Sequence, residues 1–191
     1  MKTFAIAALA GIAAASIPTT TSAADFSFTG TFLTDDAKAA FTFNLAAPST
    51  VTIQTFGYLG GVNAAGQTIA AGGFDDVVTL YDSSSQIVAF SDDGLTLALA
   101  AGSYKLFLTQ YDNFGPANLA LPFLFDGQPN FRGGFVDFDG SKRNGNWALD
   151  ITGVTLATAV PETSTWALML VGFGIAGAAL RGRRRMSISF S

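Results

Sequence analysis

The sequence predicts an all-β fold, an antiparallel and jelly-roll-like β-sandwich, with a signal peptide before it and a single transmembrane sorting helix after it. Three observations lead to this prediction: short alternating segments in the body, turn-forming residues between them, and apolar segments near both termini. The alternating segments are rich in Phe, Val, Ile and Thr, as half-buried strands are. They are residues 26–32, 39–45, 51–56, 77–81, 87–90, 104–111 and 147–156.

Gly, Asp, Ser and Asn separate these segments, and strands this short and this closely spaced are typical of two packed sheets. The segments between the two termini contain no long amphipathic pattern of helical period. We therefore divide the chain into five regions. They are a signal peptide (1–24), a β-sandwich domain (25–156), a linker with a Pro-Glu motif (157–165), a transmembrane helix (166–180) and a basic cytoplasmic tail (181–191).

The first 24 residues have the three parts of a secretory signal peptide. Lys2 supplies the positive charge, and the segment 4–12 is apolar and rich in Ala. Thr-Ser-Ala-Ala at 21–24 offers small residues for cleavage after Ala24, with Ser22 at the minus-three position. The sequence thus predicts export and removal of this segment.

Residues 166–180 carry no charge and precede a cluster of arginines. As a helix they would extend roughly 22 Å, against about 30 Å for a hydrocarbon core, a deficit that local thinning of the bilayer accommodates. Trp166 suits one membrane interface, and the positive-inside rule keeps the arginines cytoplasmic and the body outside. The alternative is a helix buried in a soluble core, which the arginines disfavour.

The C-terminal motifs resemble the PEP-CTERM sorting signal of exported proteins of Gram-negative bacteria that make exopolysaccharide. The residues that carry the resemblance are Pro161, Glu162, Trp166 to Leu170, Gly172 to Gly174, Arg181, Arg183, Arg184 and Arg185. The resemblance implies processing by an exosortase near Pro161-Glu162 and release to the cell surface or the extracellular space. Thr163 stands where the family usually has a second Pro, and the chain continues past Arg185.

Composition excludes several classes of function. The body, residues 25–160, has thirteen Asp and no Glu against five basic residues, a formal charge of −8. Such a surface disfavours nucleic acid as a partner, because a phosphate backbone needs a basic footprint. The chain has no Cys and no His, which excludes disulfides, thiolate nucleophiles, Ser-His-Asp chemistry and the usual zinc sites. A pair of Asp carboxylates is the remaining catalytic option.

Two pairs of Asp flank the predicted hairpin formed by segments 77–81 and 87–90. Asp75 and Asp76 precede its first strand, and Asp92 and Asp93 follow its second, so four carboxylates should meet at one edge of a sheet. Residues 72–111 resemble bacterial pre-peptidase C-terminal domains, although a common form of that family has Pro at the position of Asp76. The resemblance implies calcium, with Asp75, Asp92 and Asp93 as candidate ligands and Asp76 as a weaker one. The alternative is that these carboxylates only cap turns.

Two long segments and a few aromatic residues complete the pattern. Residues 57–73 and 112–146 contain Gly, Pro and Asn and are predicted as long loops, within which 119–125 forms an edge strand or a packed loop. Four aromatic side chains either line a carbohydrate-binding face or belong to the core: Tyr58, Tyr81, Tyr111 and Trp147.

The sequence as a whole predicts a non-catalytic protein of the cell surface or extracellular matrix, with a structural or adhesive role in an exopolysaccharide layer. Its predicted partners are the exosortase, the membrane before processing, and an exopolysaccharide. A calcium-dependent carbohydrate-binding module is the first alternative. An Asp-based enzyme acting on polysaccharide is the second.

Overall fold

The computed structural model describes residues 24–92 and 94–160, in which every regular element is a β-strand. The strands are β1 (Ala24–Thr31), β2 (Lys38–Leu45), β3 (Ser49–Thr55), β4 (Gly61–Val62), β5 (Thr68–Ile69), β6 (Asp76–Tyr81), β7 (Ile87–Ser91), β8 (Leu95–Leu99), β9 (Gly102–Gln110), β10 (Asn146–Val154) and β11 (Leu156–Val160). All of their pairings are antiparallel, as the alternating sequence predicts.

Two sheets hold nine of these strands. Sheet A has the order β1-β10-β3-β8, sheet B has the order β11-β2-β9-β6-β7, and β4 and β5 form a separate hairpin. One continuous core contains residues of both large sheets, an arrangement consistent with the predicted β-sandwich. One end of the sandwich contains the last residues of β1, β3, β7 and β9 and the first residues of β2, β6, β8 and β10. We call this the loop end.

The core follows from the period-2 pattern, which sends alternate side chains of each strand to the same side of its sheet. Phe41 of β2 contacts Phe28 of β1 with ring centroids 4.9 Å apart, and it meets Trp147 of β10 edge-on at 5.8 Å. These rings join sheet B to sheet A. The largest fully buried apolar residues are Phe41, Phe43, Val51, Ile53, Phe74, Val77, Leu80, Tyr81, Leu106, Leu108, Leu149 and Ile151.

The prediction of one continuous strand over residues 147–156 is wrong. The chain leaves sheet A at Val154, bends at Thr155 and enters sheet B as β11, which pairs with β2. Gly153 permits this transfer, because it has a φ of +80° and a Cβ there would lie 2.2 Å from the carbonyl oxygen of Thr50. Strand β11 also extends the folded domain to Val160, past the predicted boundary at 156 and into the predicted linker.

Residues 111–145 form a packed layer on the outer face of sheet B. Phe123 of this layer lies 5.2 Å from Phe107 of β9, and Phe107 meets Tyr81 of β6 edge-on at 5.8 Å. The hydroxyl of Tyr81 donates a hydrogen bond of 2.8 Å to the carbonyl oxygen of Pro116. Of the two alternatives for residues 119–125, the structure therefore has the packed loop.

Asp35, in the connection between β1 and β2, fixes the far end of this layer. Its side chain is fully buried, and its two oxygens accept hydrogen bonds of 2.5–3.2 Å from four backbone N–H groups. The donors are Asn130, Phe131, Arg132 and Gly134. A buried carboxylate with four such donors is well solvated by the protein itself.

Asp150 of β10 holds the small hairpin against the outer face of sheet A. Its Oδ2 accepts a 2.7 Å hydrogen bond from the backbone N–H of Ala64, and its Oδ1 accepts one of 2.6 Å from Ser27. The predicted loop 57–73 thus contains the hairpin β4–β5 and is anchored by a buried side chain.

The predicted signal peptide (1–24) and the predicted span (166–180) lie outside the described residues, apart from Ala24. In the part of the chain that the structure describes, no helix has the length and apolar character that crossing a membrane requires.

Candidate ligand-binding cleft

A cleft of about 460 Å³ opens at the loop end between the two sheets. One wall comes from the end of β3 and the loop that follows it, and the other comes from the hairpin β6–β7. The lining residues are Gln54, Thr55, Tyr58, Leu59, Asp75, Asp76 and Asp92. Three of the four aspartates that the sequence singled out therefore line one cleft, and the fourth, Asp93, is outside the described residues.

The hairpin brings these carboxylates together. In its register Val78 faces Ser91, so Asp75 and Asp76 at the start of β6 lie beside Asp92 after the end of β7. At the other end of the hairpin, Asp82 Oδ1 accepts hydrogen bonds from the backbone N–H groups of Ser84 and Gln86 and closes the turn. Strand pairing thus places these three aspartates along the same cleft.

Asp76 is the buried polar residue of the lining. Asp76 is 2% exposed, and its register partner across the β6–β9 pair is Gln110, which is also 2% exposed. Paired residues of antiparallel strands project to the same side of the sheet, so the two side chains are neighbours. Gln110 Oε1 is a buried oxygen with no hydrogen-bond partner among the described residues.

The opposite wall carries the aromatic residue of the cleft. Tyr58 is half-buried, and the guanidinium of Arg143 stacks on its ring at 4.2 Å from the centroid. Arg143 also donates a 2.6 Å hydrogen bond from Nε to Asp137, and this contact raises the pKa of the guanidinium. Arg143 is therefore engaged by Asp137 and by the ring of Tyr58, and the three acidic lining residues lie on the other wall.

Calcium needs six to eight oxygen ligands held close together. Within residues 24–92 and 94–160, no three carboxylates are close enough to form such a group. Asp75, Asp76 and Asp92 alone therefore do not make a metal site, and a calcium ion there would need backbone carbonyls and Asp93. The calcium site stays a prediction.

The four aromatic residues considered for a carbohydrate face have different surroundings. Only Tyr58 lines the cleft. Tyr81 is fully buried, Tyr111 packs edge-on against Phe114 at 5.3 Å, and Trp147 lies 5.9 Å from Phe32 at the margin of the core. Of the two alternatives, a carbohydrate-binding face or the packed interior, Trp147 and Tyr81 therefore belong to the interior.

Sequence reasoning did not find Gln54, Thr55 and Gln110. The sequence around these residues does not indicate their position, because each lies at the end of a strand whose partner strand is far away in the sequence. A weak signal existed for Gln110: alternation from Leu106 through Leu108 places it on the core side, where an amide needs a partner.

In comparisons with known proteins, no family model and no curated sequence matches this chain.

Proposed function

We propose that this chain is an exported protein of the cell surface or extracellular matrix, sorted by an exosortase, with a non-catalytic structural or adhesive role in an exopolysaccharide layer. The predicted signal peptide supports export, and the resemblance of the C-terminal motifs to the PEP-CTERM signal supports sorting by an exosortase. Once sorted, the protein would be anchored in the inner membrane only until processing releases it.

One observation carries the proposal. The last strand of the domain, β11, ends at Val160, and the Pro161-Glu162 motif follows immediately in the sequence. A cut at that motif would remove the apolar segment and the arginines while leaving every strand of both sheets intact. The strand order of the body also supports the jelly-roll-like assignment. In chain order the nine strands of the two sheets alternate between sheet A and sheet B, except that β6 and β7 are consecutive and both lie in sheet B.

Deletion of residues 166–185 tests the route in a bacterium that carries an exosortase. We expect the deleted protein to escape membrane retention and processing, while the intact chain is retained and then shortened. Equal fates for the two chains in fractionation and immunoblotting would rule out the sorting role.

A calcium-dependent carbohydrate-binding module is the second candidate, favoured by the cleft that joins Tyr58 to Asp75, Asp76 and Asp92. A ligand that binds only the folded state raises the free energy of unfolding, by about 2.7 kcal/mol at a hundredfold excess over Kd. Melting with EDTA and then with millimolar calcium tests the calcium requirement, with Asp92→Asn as the site variant. A polysaccharide degraded by the protein but not by Asp92→Asn would instead indicate an enzyme.

A further inference from the structure

We infer that strand β11 controls access to the Pro161-Glu162 motif. In this inference β11 detaches from β2 before the exosortase cuts, and it pairs with β2 again once the tail is gone. This step rests on the proposed sorting role and adds the conformational change that precedes the cut. While β11 is paired, the folded domain protects the motif.

The motif begins one residue past a paired strand. All five residues of β11 pair with β2, and the last of them, Val160, lies opposite Ala40. Pro161 is the next residue in the sequence, and one residue of extended chain spans at most about 3.6 Å. Binding sites are concave and enclose most of what they hold. The residues directly before Pro161 cannot be enclosed by an active site while β2 occupies one side of them.

The short connection to the predicted span strengthens this restriction. Residues 161–165 separate β11 from the predicted span at 166–180, and five extended residues reach at most about 18 Å. A compact domain of this length has a radius of gyration of about 14 Å. The bulk of the domain would therefore lie beside any membrane enzyme that reached the motif. Release of residues 156–160 doubles the reach to about 36 Å.

The fold allows β11 to detach while the core stays in place. The strand lies at the edge of sheet B, where β2 is its neighbour. Val154, before the bend at Thr155, is fully buried in the core, whereas Leu156 is 51% exposed. The hydroxyls of Thr42 and Thr158 share a 3.0 Å hydrogen bond on the exposed side of the pair. Edge elements with few buried contacts open at a lower free energy than the whole domain.

The strength of the β2–β11 pairing should therefore set the rate of processing. When opening and closing are faster than cutting, the rate of cleavage is proportional to the population of the open state. A covalent link between the two strands removes that population, and a longer connection after Val160 makes opening unnecessary.

A disulfide between β2 and β11 tests the first of these consequences. Thr42 and Thr158 are cross-strand partners with hydroxyls 3.0 Å apart, and the chain has no competing Cys. The double variant Thr42→Cys with Thr158→Cys thus places two thiols within reach of a bond. Produced at full length in an exosortase-bearing host, it should be shortened at least tenfold more slowly than the wild-type chain. A reducing agent in the medium should restore the rate, and each single variant should match the wild type throughout.

A spacer tests the second consequence and separates access from any damage to the fold. About ten Gly and Ser residues inserted between Val160 and Pro161 add a flexible reach of roughly 18 Å. The disulfide-linked chain with this spacer should be shortened at a rate within about twofold of the wild type, because the motif is then accessible with β11 paired.

Two results would overturn the inference while the sorting role stands. One is an equal rate of shortening for the wild-type and the disulfide-linked chains, with the disulfide verified by intact mass. The other is a disulfide-linked chain that stays unprocessed with the spacer, since access would then not be what the pairing limits. A wild-type chain that keeps residues 166–185 in the same host would contradict the sorting role itself, and this inference with it.

Discussion

Asp35 and Asp150 are buried carboxylates that fix two irregular segments to the sheets. Each accepts hydrogen bonds from the backbone of a segment far away in sequence, residues 130–134 for Asp35 and Ala64 for Asp150. Burial of a carboxylate is tolerated when its oxygens accept hydrogen bonds, and the oxygens of Asp35 and Asp150 do so. Their role is structural.

Replacing Asp35 by Ala should lower the free energy of unfolding by about 3 kcal/mol, because four backbone N–H groups lose their acceptor. Asp36→Ala is the matched control, because the hydrogen bond that Asp36 accepts from Asn113 goes to its backbone carbonyl oxygen, which the substitution keeps. Urea denaturation of both variants measures the difference. Equal losses for the two would contradict the anchoring role of Asp35.

Burial raises the pKa of Tyr81 from 10.0 to about 12. Because the folded-state pKa lies above the unfolded value, the stabilisation is complete below about pH 10 and is lost as pH rises toward 12. Ultraviolet titration should show a tyrosinate step near pH 12, and Tyr81→Phe should abolish that step. A Tyr81→Phe variant that still shows the step near pH 12 would contradict this expectation.

Strands with clear alternation were predictable, and elements defined by distant contacts were not. Segments such as 39–45 and 104–111 fall on β2 and β9 because their period is local. Strand β8 was not predicted, although its residues Leu95 to Leu99 alternate between Leu and smaller side chains. Strand β11 was taken for linker because its Ala and Thr residues are informative only when paired with β2.

The layer of residues 111–145 shows why the rest of the fold could not be predicted. It has almost no regular structure, so its position depends on single contacts, such as Phe123 on Phe107 and the ion pair of Lys38 with Asp126. No periodic signal encodes contacts of that kind. The cleft was half predictable for the same reason: the hairpin indicated its aspartates, whereas the positions of Gln54 and Thr55 depend on pairing between distant strands.

Removing β11 tests the new domain boundary. A chain ending at Thr155 should be less stable than one ending at Val160 by about 2 kcal/mol, because five cross-strand pairs with β2 are lost. Comparison of the two midpoints of urea denaturation measures this difference. If the midpoints coincide, β11 contributes nothing to the domain and the boundary near 156 stands.

At the scale of the molecule, charge and hydrophobicity differ between the body and the C-terminal segment. The body concentrates acidic residues, and three of its five basic residues pair with aspartates: Lys38 with Asp126, Arg132 with Asp112, and Arg143 with Asp137. Four more arginines follow the apolar segment near the C-terminus. An acidic domain that ends where a basic, apolar tail begins is suited to losing that tail without unfolding.

The intact mass of the protein recovered from the extracellular fraction of an exosortase-bearing host tests export and processing together. We expect a chain that begins at Asp25 and ends close to Pro161-Glu162, which would keep both sheets. A species that still carries Met1, or one that retains residues 166–185, would contradict it.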